Sequence, residues 1–146
     1  MGPLACLLAT ESLHEELVAA GHESVGFADD VAVLPRGTDG MAAAAEDVLR
    51  RVHEWSVRHQ IPLNVGKTKV LFSDRSEEAK FSCAIGGEAV KPVRSAKYLG
   101  VRFAVKGRKI DFNPQFLHVE EKLKEALPAI RAAAKAAGAT AGLSVL

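Results

Sequence analysis

The pattern of apolar and polar positions predicts helices and short antiparallel hairpins along the chain. Leucines recur through residues 4–17 with glutamates between them, which predicts a helix over residues 3–19 that ends at Gly21. Two short apolar runs follow, at residues 24–27 and 31–34. These runs lie too close together for anything but a tight hairpin with Ala28-Asp29 at its turn.

A second helix is predicted over residues 39–59, capped by Thr38 or Asp39. Its apolar positions recur at steps of four and three and form one buried stripe: Met41, Ala45, Val48, Val52 and Trp55. Its basic residues lie elsewhere on the helix and are expected to form a solvated face: Arg50, Arg51, Arg58 and His59. We expect the hairpin of residues 24–34 to pack on this helix.

The second half of the chain predicts two further hairpins and a long helix. Residues 63–72 are interpreted as a loop that leads into a strand, and Gly86-Gly87 turns a hairpin over residues 81–93. A strand over residues 97–103 is turned back at residues 106–108. The last helix begins at Asn113-Pro114 with Asn113 as its cap, is kinked by Pro128 and ends at Gly138. Its expected buried face is Phe116, Leu123, Leu127, Ile130 and Ala134.

Composition changes this picture little. The chain has 146 residues, 48% hydrophobic and 25% charged, which suits one α+β domain in which antiparallel hairpins pack on helices. The net charge is +1, so the whole molecule carries no basic field that would indicate nucleic acid. Cys6 and Cys83 lie far apart and predict free thiols without a disulfide partner. No segment has the roughly 18 apolar residues of a membrane span, so we expect a soluble, intracellular protein with no membrane partner.

Adjacent carboxylates at the turn of the first hairpin are the main candidate for chemistry. Asp29 and Asp30 repel each other, and Asp30 begins a strand, where aspartate is depleted. A shared hard cation, Mg²⁺ or Mn²⁺, would remove the repulsion. One alternative is a solvated turn, since aspartate is common in turns. Another is a phosphoacceptor domain, but there the acid pair leads into a loop and a helix, whereas an apolar strand follows Asp30.

Three motifs in one order resemble a known family. Phe27-Ala28-Asp29-Asp30 resembles the aromatic-x-Asp-Asp box of reverse transcriptases, in the form typical of non-LTR retrotransposons. Trp55, then Leu63-Asn64, then Lys67-Thr68 is similar to the pattern that follows this box in the same family. Tyr98-Leu99-Gly100 resembles the primer grip, the hairpin that holds the primer end over the carboxylates.

This resemblance implies a partial polymerase palm over residues 1–111 and the start of a thumb, with a thumb-like helix and tail, over residues 112–146. The full enzyme would add deoxynucleotides to a DNA primer along an RNA template by two-metal nucleotidyl transfer. Asp29 and Asp30 would be the catalytic metal ligands, and Lys67 a catalytic acid or phosphate contact. Tyr98, Leu99 and Gly100 would hold the primer.

The sequence also departs from the family. A polymerase palm needs a further aspartate from an earlier strand, and the 28 residues before Asp29 contain none. The fingers are absent as well, so we expect a fragment that begins within the palm, is inactive alone, and binds Mg²⁺ with a dissociation constant on the order of millimolar. The alternative is a non-catalytic nucleic-acid-binding or accessory domain derived from a retroelement.

Overall fold

The structure, a computed structural model, describes residues 3–107 and 109–136. Within them the chain is an α+β fold, as predicted. The helices are α1 (Pro3–Ala19), α2 (Met41–His59), α3 (Arg75–Lys80) and α4 (Asn113–Ala136), with a 3₁₀-helix at Val65–Lys67. The strands are β1 (Glu23–Phe27), β2 (Asp30–Leu34), β3 (Cys83–Ile85), β4 (Glu88–Val90), β5 (Ser95–Tyr98), β6 (Val101–Lys106) and β7 (Lys109–Asp111).

These elements form two compact units, one up to Arg94 and the other from Ser95 onward. The strands pair in three antiparallel sheets, β1–β2 and β3–β4 in the first unit and β5–β6–β7 in the second. No helix in the described residues is long and apolar enough to cross a membrane. The expected palm–thumb boundary between residues 111 and 112 stays a prediction.

The first hairpin has the predicted register, with the two residues Ala28-Asp29 at its turn and Phe27 opposite Asp30. It packs mainly on α1 rather than on α2. The ring of His14 lies 2.8 Å from the hydroxyl of Ser24, and a Cβ on Gly26 would lie 2.5 Å from the same ring. A glycine at position 26 therefore permits this close approach. Val33 makes the expected contact with the core that α1 and α2 share.

Helix α2 separates two apolar clusters of the first unit. On one side Val48 and Trp55, which is 2% exposed, pack with Leu13 and Leu17 of α1. The other cluster consists of Ala42, Ala45, Leu49, Phe72, Phe81, Ile85 and Val90. Of the predicted stripe, Ala45, Val48 and Trp55 are buried and Val52 is half-buried, but Ala45 contacts the second cluster and the other three the first. Met41, the first residue of the helix, is 43% exposed.

The predicted cap of α2 is wrong. Gly40 occupies the cap position without a side-chain bond, and neither Thr38 nor Asp39 caps the helix. Instead the carboxylate of Glu77, on α3, accepts a hydrogen bond from the N–H of Ala42 at 3.0 Å. The short helix α3 is itself capped by Asp74, which accepts from the N–H of Ser76 at 2.8 Å.

The remaining strands of the first unit are partly as predicted. The hairpin β3–β4 turns at Gly86-Gly87, whose φ angles of 58° and 86° are those that a two-residue hairpin turn requires. The strand expected before residue 72 is reduced to one bridge between Val70 and Pro92. Its residues instead enter the 3₁₀-helix or pack on the core.

The second unit corrects two predictions. The single strand expected over residues 97–103 is a hairpin, because Leu99 and Gly100 have φ angles of 47° and 85° and turn the chain between β5 and β6. Asn113 lies within α4 rather than capping it, and donates its N–H to the carboxylate of Asp111 at 2.9 Å. The turn expected after Lys106 is present at Gly107, and Pro128 lies inside α4.

The expected buried face of α4 is also wrong. Phe116 is 70% exposed, and Leu123 and Ile130 are exposed as well, because the described residues of this unit cover little of the helix. The predicted end at Gly138 and the side chain of Ala134 lie outside the described part of the chain.

Candidate functional site

The two candidate aspartates lie at the tip of the hairpin β1–β2, and both are exposed. Ala28, the first residue of the turn, has a φ of 54°, whereas Asp29 has no positive φ. A positive φ at the first position alone is the pattern of a type II′ turn, where glycine is usual. Alanine is strained there, and such strain tends to concentrate at functional sites.

The outer face of this hairpin is apolar around Asp30. Because opposite residues share a face, Asp30 lies with Phe27, and Val25 and Leu34 lie on the same side. These apolar side chains are exposed, Phe27 by 63%. The other face, with Ser24, Gly26 and Val33, packs toward α1. Asp30 therefore lies on the exposed face, next to an apolar surface that the described residues of the first unit leave uncovered.

The donor set at the tip fits a weakly held hard cation. Two carboxylates supply oxygen ligands, and in the described residues no group of three or more metal-binding side chains forms. Mg²⁺ keeps several waters and is usually held by one or two carboxylates together with substrate phosphates. Asp29 and Asp30 provide the protein part of such a set and no more.

The base of the hairpin is held by His22, which sequence reasoning missed. This side chain is buried, with 5% exposed, and its Nδ1 accepts the N–H of Arg36 at 3.1 Å. Nε2 therefore carries the proton, which it donates to the carboxylate of Asp47 on α2 at 3.1 Å. Since His22 precedes β1 and Arg36 follows β2, one imidazole joins both ends of the hairpin to α2.

Asp47 is the centre of a charged network on α2. Arg51 donates its Nε–H to this carboxylate at 2.7 Å, and Arg50 donates as well. The hydrogen bond from Arg51 is the main reason why the pKa of Asp47 lies well below its usual range. Hydrogen bonds from His22 and Arg50 lower this pKa further, whereas burial of the carboxylate raises it. The predicted solvated face of α2 thus lies at the surface, and its arginines form ion pairs with acids. Arg58 donates to the carboxylate of Glu16 on α1 at 2.6 Å. No sequence signal links Asp47 to His22, which is 25 residues away.

Lys67 lies in the 3₁₀-helix of the first unit and is exposed. The side-chain oxygen of Asn64 accepts the N–H of Lys67 at 3.1 Å, and the carbonyl of Asn64 accepts the hydroxyl of Thr68 at 3.2 Å. The asparagine, lysine and threonine of the motif thus form one local turn. Its Val65 packs on the cluster of Leu49, across α2 from the cluster that anchors the hairpin. Nothing in the described residues joins Lys67 to the aspartates, and its role stays a prediction.

Tyr98, Leu99 and Gly100 lie at the first turn of the second unit. The hydroxyl of Tyr98 is buried and has no hydrogen-bond partner among the described residues. A Cβ on Gly100 would contact nothing, so glycine is favoured here by its φ of 85° rather than by crowding. The primer-binding role of this turn stays a prediction.

Comparison with known proteins gives one informative match. The chain is 29% identical over 127 residues to the Retrovirus-related Pol polyprotein from type-1 retrotransposable element R1 of Bradysia coprophila. The match covers 84% of this chain but only 12% of that polyprotein. No protein-family model and no solved structure matches the chain. The similarity supports a retroelement origin for the chain.

Proposed function

We propose that this chain is the C-terminal palm and the start of the thumb of a reverse transcriptase of the non-LTR retrotransposon type. The observation that carries the proposal is the hairpin β1–β2, which presents Asp29 and Asp30 side by side at a strained turn. The similarity to a retrotransposon Pol polyprotein, over 84% of the chain, supports it. The partners of the full enzyme would be an RNA template, a DNA primer and deoxynucleotides.

Each predicted residue has a distinct task in this proposal. Asp29 is the central carboxylate of the cation site, and Asp30 is its partner at the start of β2. Bound Mg²⁺ or Mn²⁺ would supply the charge that activates the primer hydroxyl and stabilises the pyrophosphate. Lys67 offers an exposed ammonium group to a phosphate, and the turn of Tyr98, Leu99 and Gly100 positions the primer.

The chain alone is proposed to bind metal weakly and to lack polymerase activity. A complete palm shares its cations among at least three carboxylates and the nucleotide, whereas the described residues bring together two. Partial neutralisation leaves the ion largely hydrated, which corresponds to a dissociation constant on the order of millimolar, or about −4 kcal/mol.

A paramagnetic titration tests the cation site. Mn²⁺ added to the isotopically labelled chain should broaden the amide signals of Gly26, Ala28 and Val31 before others. Asp29→Asn should remove this selectivity, because a single carboxylate remains. Glu120→Gln is the matched control, since Glu120 and Glu121 are also adjacent exposed acids but lie on a helix.

The outcomes separate the two candidate functions. Selective broadening at the hairpin with millimolar affinity supports the polymerase proposal. Equal broadening at the hairpin and at Glu120 would mean that Asp29 and Asp30 form an ordinary solvated turn. In that case a non-catalytic nucleic-acid-binding domain of retroelement origin is the better description. Micromolar affinity would require a third ligand and would contradict the expected weakness of the site.

A further inference from the structure

The side of α4 that faces away from the sheet carries large apolar side chains. They recur at steps of three and four residues and so form one line along the helix: Phe116, Val119, Leu123, Leu127 and Ile130. We call these five residues the α4 stripe. Phe116 is 70% exposed and Leu123 is 53% exposed, whereas Leu127 is half-buried. A contiguous exposed apolar surface of this kind marks a contact with another molecule.

The opposite side of α4 packs on the sheet of the second unit. The side-chain oxygen of Gln115 accepts the N–H of Arg102 on β6 at 2.8 Å. Arg102 also lines an open groove together with Pro114, His118 and Glu121 of the helix. At 3.6 residues per turn, these three helix positions lie almost half a turn away from the α4 stripe. The described residues of the sheet therefore do not cover the stripe.

The two ends of α4 differ in side-chain size in a way that suits a second copy of the same helix. Phe116 and Leu123 lie in the first half, whereas five of residues 129–136 are alanine. In an antiparallel pair the large side chains of each helix face the alanines of the other, and large residues opposite small ones interdigitate to native density. A parallel pair would instead place large against large and leave the alanines facing each other.

The charges beside the stripe are complementary in the same arrangement. Glu120 and Lys135 are exposed and lie on one flank of the stripe, about four turns apart. A twofold axis across an antiparallel pair keeps equal flanks together, so Glu120 of each copy faces Lys135 of the other. The Oε1 atom of Glu120 accepts from Lys124 at 2.6 Å, and a carboxylate has capacity for a further donor. Antiparallel helices also bring opposite ends of their dipoles together.

We propose that the α4 stripe joins two copies of this chain through an antiparallel pair of α4 helices. Leu127 of each copy packs against Ile130 of the other next to the twofold axis, and Leu123 packs toward the alanine-rich end. This inference uses neither the Asp29–Asp30 site nor any nucleic acid, so it stands or falls independently of the proposed function.

A membrane surface fits α4 less well than a second copy does. Helices that lie in a membrane interface carry mainly lysine and arginine on their polar side. The polar positions of α4 carry both signs of charge, with three glutamates among them: Glu120, Glu121 and Glu125. Such mixed charge suits a partner that also presents both signs.

The length of the helix indicates a weak dimer. Helix α4 has 24 residues. The strip that it can present to a second copy therefore measures about 36 Å by 10 Å. This is well below the roughly 800 Å² per partner of a stable protein interface. We therefore expect a dissociation constant on the order of 100 μM.

Sedimentation velocity of the full chain between about 5 and 500 μM tests the proposal. The weight-average mass should rise with concentration toward twice that of one chain. The variant Leu123→Glu, Ile130→Glu should associate at least about tenfold more weakly, because it places charge in the α4 stripe. The matched control is Val18→Glu, Val57→Glu, which makes the same charge change at aliphatic residues of α1 and α2 that are 60% and 64% exposed. This control should keep the affinity of the parent.

Three results would overturn the proposal. A parent chain that stays monomeric at about 500 μM would show that the stripe does not join two copies. Equal loss of association in the variant and its control would show that association follows general surface hydrophobicity. Binding of a monomeric parent to phosphatidylserine vesicles, abolished by Leu123→Glu, Ile130→Glu, would assign the stripe to a membrane surface. Circular dichroism verifies that both variants are folded.

A charge exchange tests the antiparallel geometry. Glu120→Lys alone and Lys135→Glu alone should each weaken the dimer by about three- to tenfold, because like charges then face each other across the pair. The double variant Glu120→Lys, Lys135→Glu should restore the affinity to within about twofold of the parent. In a parallel pair the two positions lie about 22 Å apart along the helices and cannot compensate each other. Absence of recovery in the double variant would therefore contradict the antiparallel pair.

Discussion

Replacing Asp47 with alanine should strongly destabilise the first unit, because one carboxylate serves three donors. Loss of the bond from His22 leaves a buried imidazole N–H without an acceptor, which costs about 1–3 kcal/mol. The bonds from Arg50 and Arg51 involve side chains that are 53% and 35% exposed, so each contributes only about 0.5 kcal/mol. Together these effects lower the free energy of unfolding by about 2–4 kcal/mol.

This loss is large enough to measure by thermal and urea unfolding. For a unit of this size each 1 kcal/mol lowers the melting temperature by about 4–8 °C, so the lower bound alone corresponds to about 8–16 °C. Asp47→Asn should recover about half of the loss, since its side-chain oxygen can still accept the N–H of His22. Glu54→Ala is the control, because Glu54 is exposed and, among the described residues, bonds only Arg50 on α2. Its effect should stay below about 0.5 kcal/mol.

The pH dependence of stability gives an independent measure of the same network. The folded-state pKa of Asp47 lies below its unfolded value, chiefly through Arg51. Its stabilising contribution is therefore fully present above about pH 4 and is lost as the pH falls through the folded-state pKa. The difference in unfolding free energy between the parent and Asp47→Asn should be constant from about pH 5 to 7 and shrink below about pH 4.

Two results would refute this reasoning. If Asp47→Ala is as mild as Glu54→Ala, the contact with His22 does not hold the hairpin to α2. If Asp47→Asn is as harmful as Asp47→Ala at every pH, the negative charge matters and the buried hydrogen bond does not.

Four further predictions concern the turn, the helix cap and the candidate site. Ala28→Gly should raise the free energy of unfolding, measured by urea titration, by up to about 1 kcal/mol, because relief of a strain of about 1–3 kcal/mol exceeds the entropic cost of glycine. Ala32→Gly, within β2, should lower the free energy of unfolding in the same titration. Glu77→Ala removes the cap of α2 and should cost about 1 kcal/mol, whereas Lys80→Ala, which leaves the cap in place, should cost less than half of this by thermal unfolding. Asp29→Asn should stabilise the metal-free chain by a few tenths of a kcal/mol through relief of like-charge repulsion, and a lower melting temperature would identify Asp29 as a structural turn residue. In a primer-extension assay with Mg²⁺ or Mn²⁺ the chain alone should give no product, and incorporation abolished by Asp29→Ala would contradict the expected inactivity.

Elements defined by local chemistry were predictable from the sequence. The turns at Ala28-Asp29 and Gly86-Gly87 lie between short apolar runs, and a two-residue connection leaves a hairpin as the main option. The stripe on α2 follows from helical periodicity alone. The turn at Leu99-Gly100 was missed because the apolar residues on both sides of it look like parts of one continuous strand. Gly100 is the main residue in this stretch that indicates a turn.

Elements that depend on distant partners were not predictable. Helix α3 has six mostly charged residues and no apolar stripe, and it is stabilised by the Asp74 cap and by contacts of its glutamates. The cap of α2 comes from Glu77, 35 residues away from Ala42. The periodicity of α4 shows which residues lie on one side, but it cannot show whether anything covers that side. Phe116, expected in the core, is exposed for this reason.

The candidate site divides in the same way. The sequence predicts that Asp29 and Asp30 lie at a hairpin tip, because the relevant signals are adjacent residues. It does not predict what fixes the base of that hairpin, because His22 and Asp47 meet only through the packing of β1 against its neighbours.

Backbone strain links the two turns that the sequence singles out. In the described residues three side-chain-bearing residues have positive φ: Ala28, Leu99 and Gln60. Gln60 ends α2, where a left-handed residue is common, so it has a local structural reason. Ala28 and Leu99 lie instead in the turns with the candidate carboxylates and the candidate primer contact.

Strain of about 1–3 kcal/mol persists only where the surroundings over-determine the conformation. At Ala28 those surroundings include the imidazole of His22 at the base of the hairpin and the close approach of His14 to Gly26. The hairpin is thus joined to α2 at its base by His22, while its tip carries the strained turn next to Asp29 and Asp30.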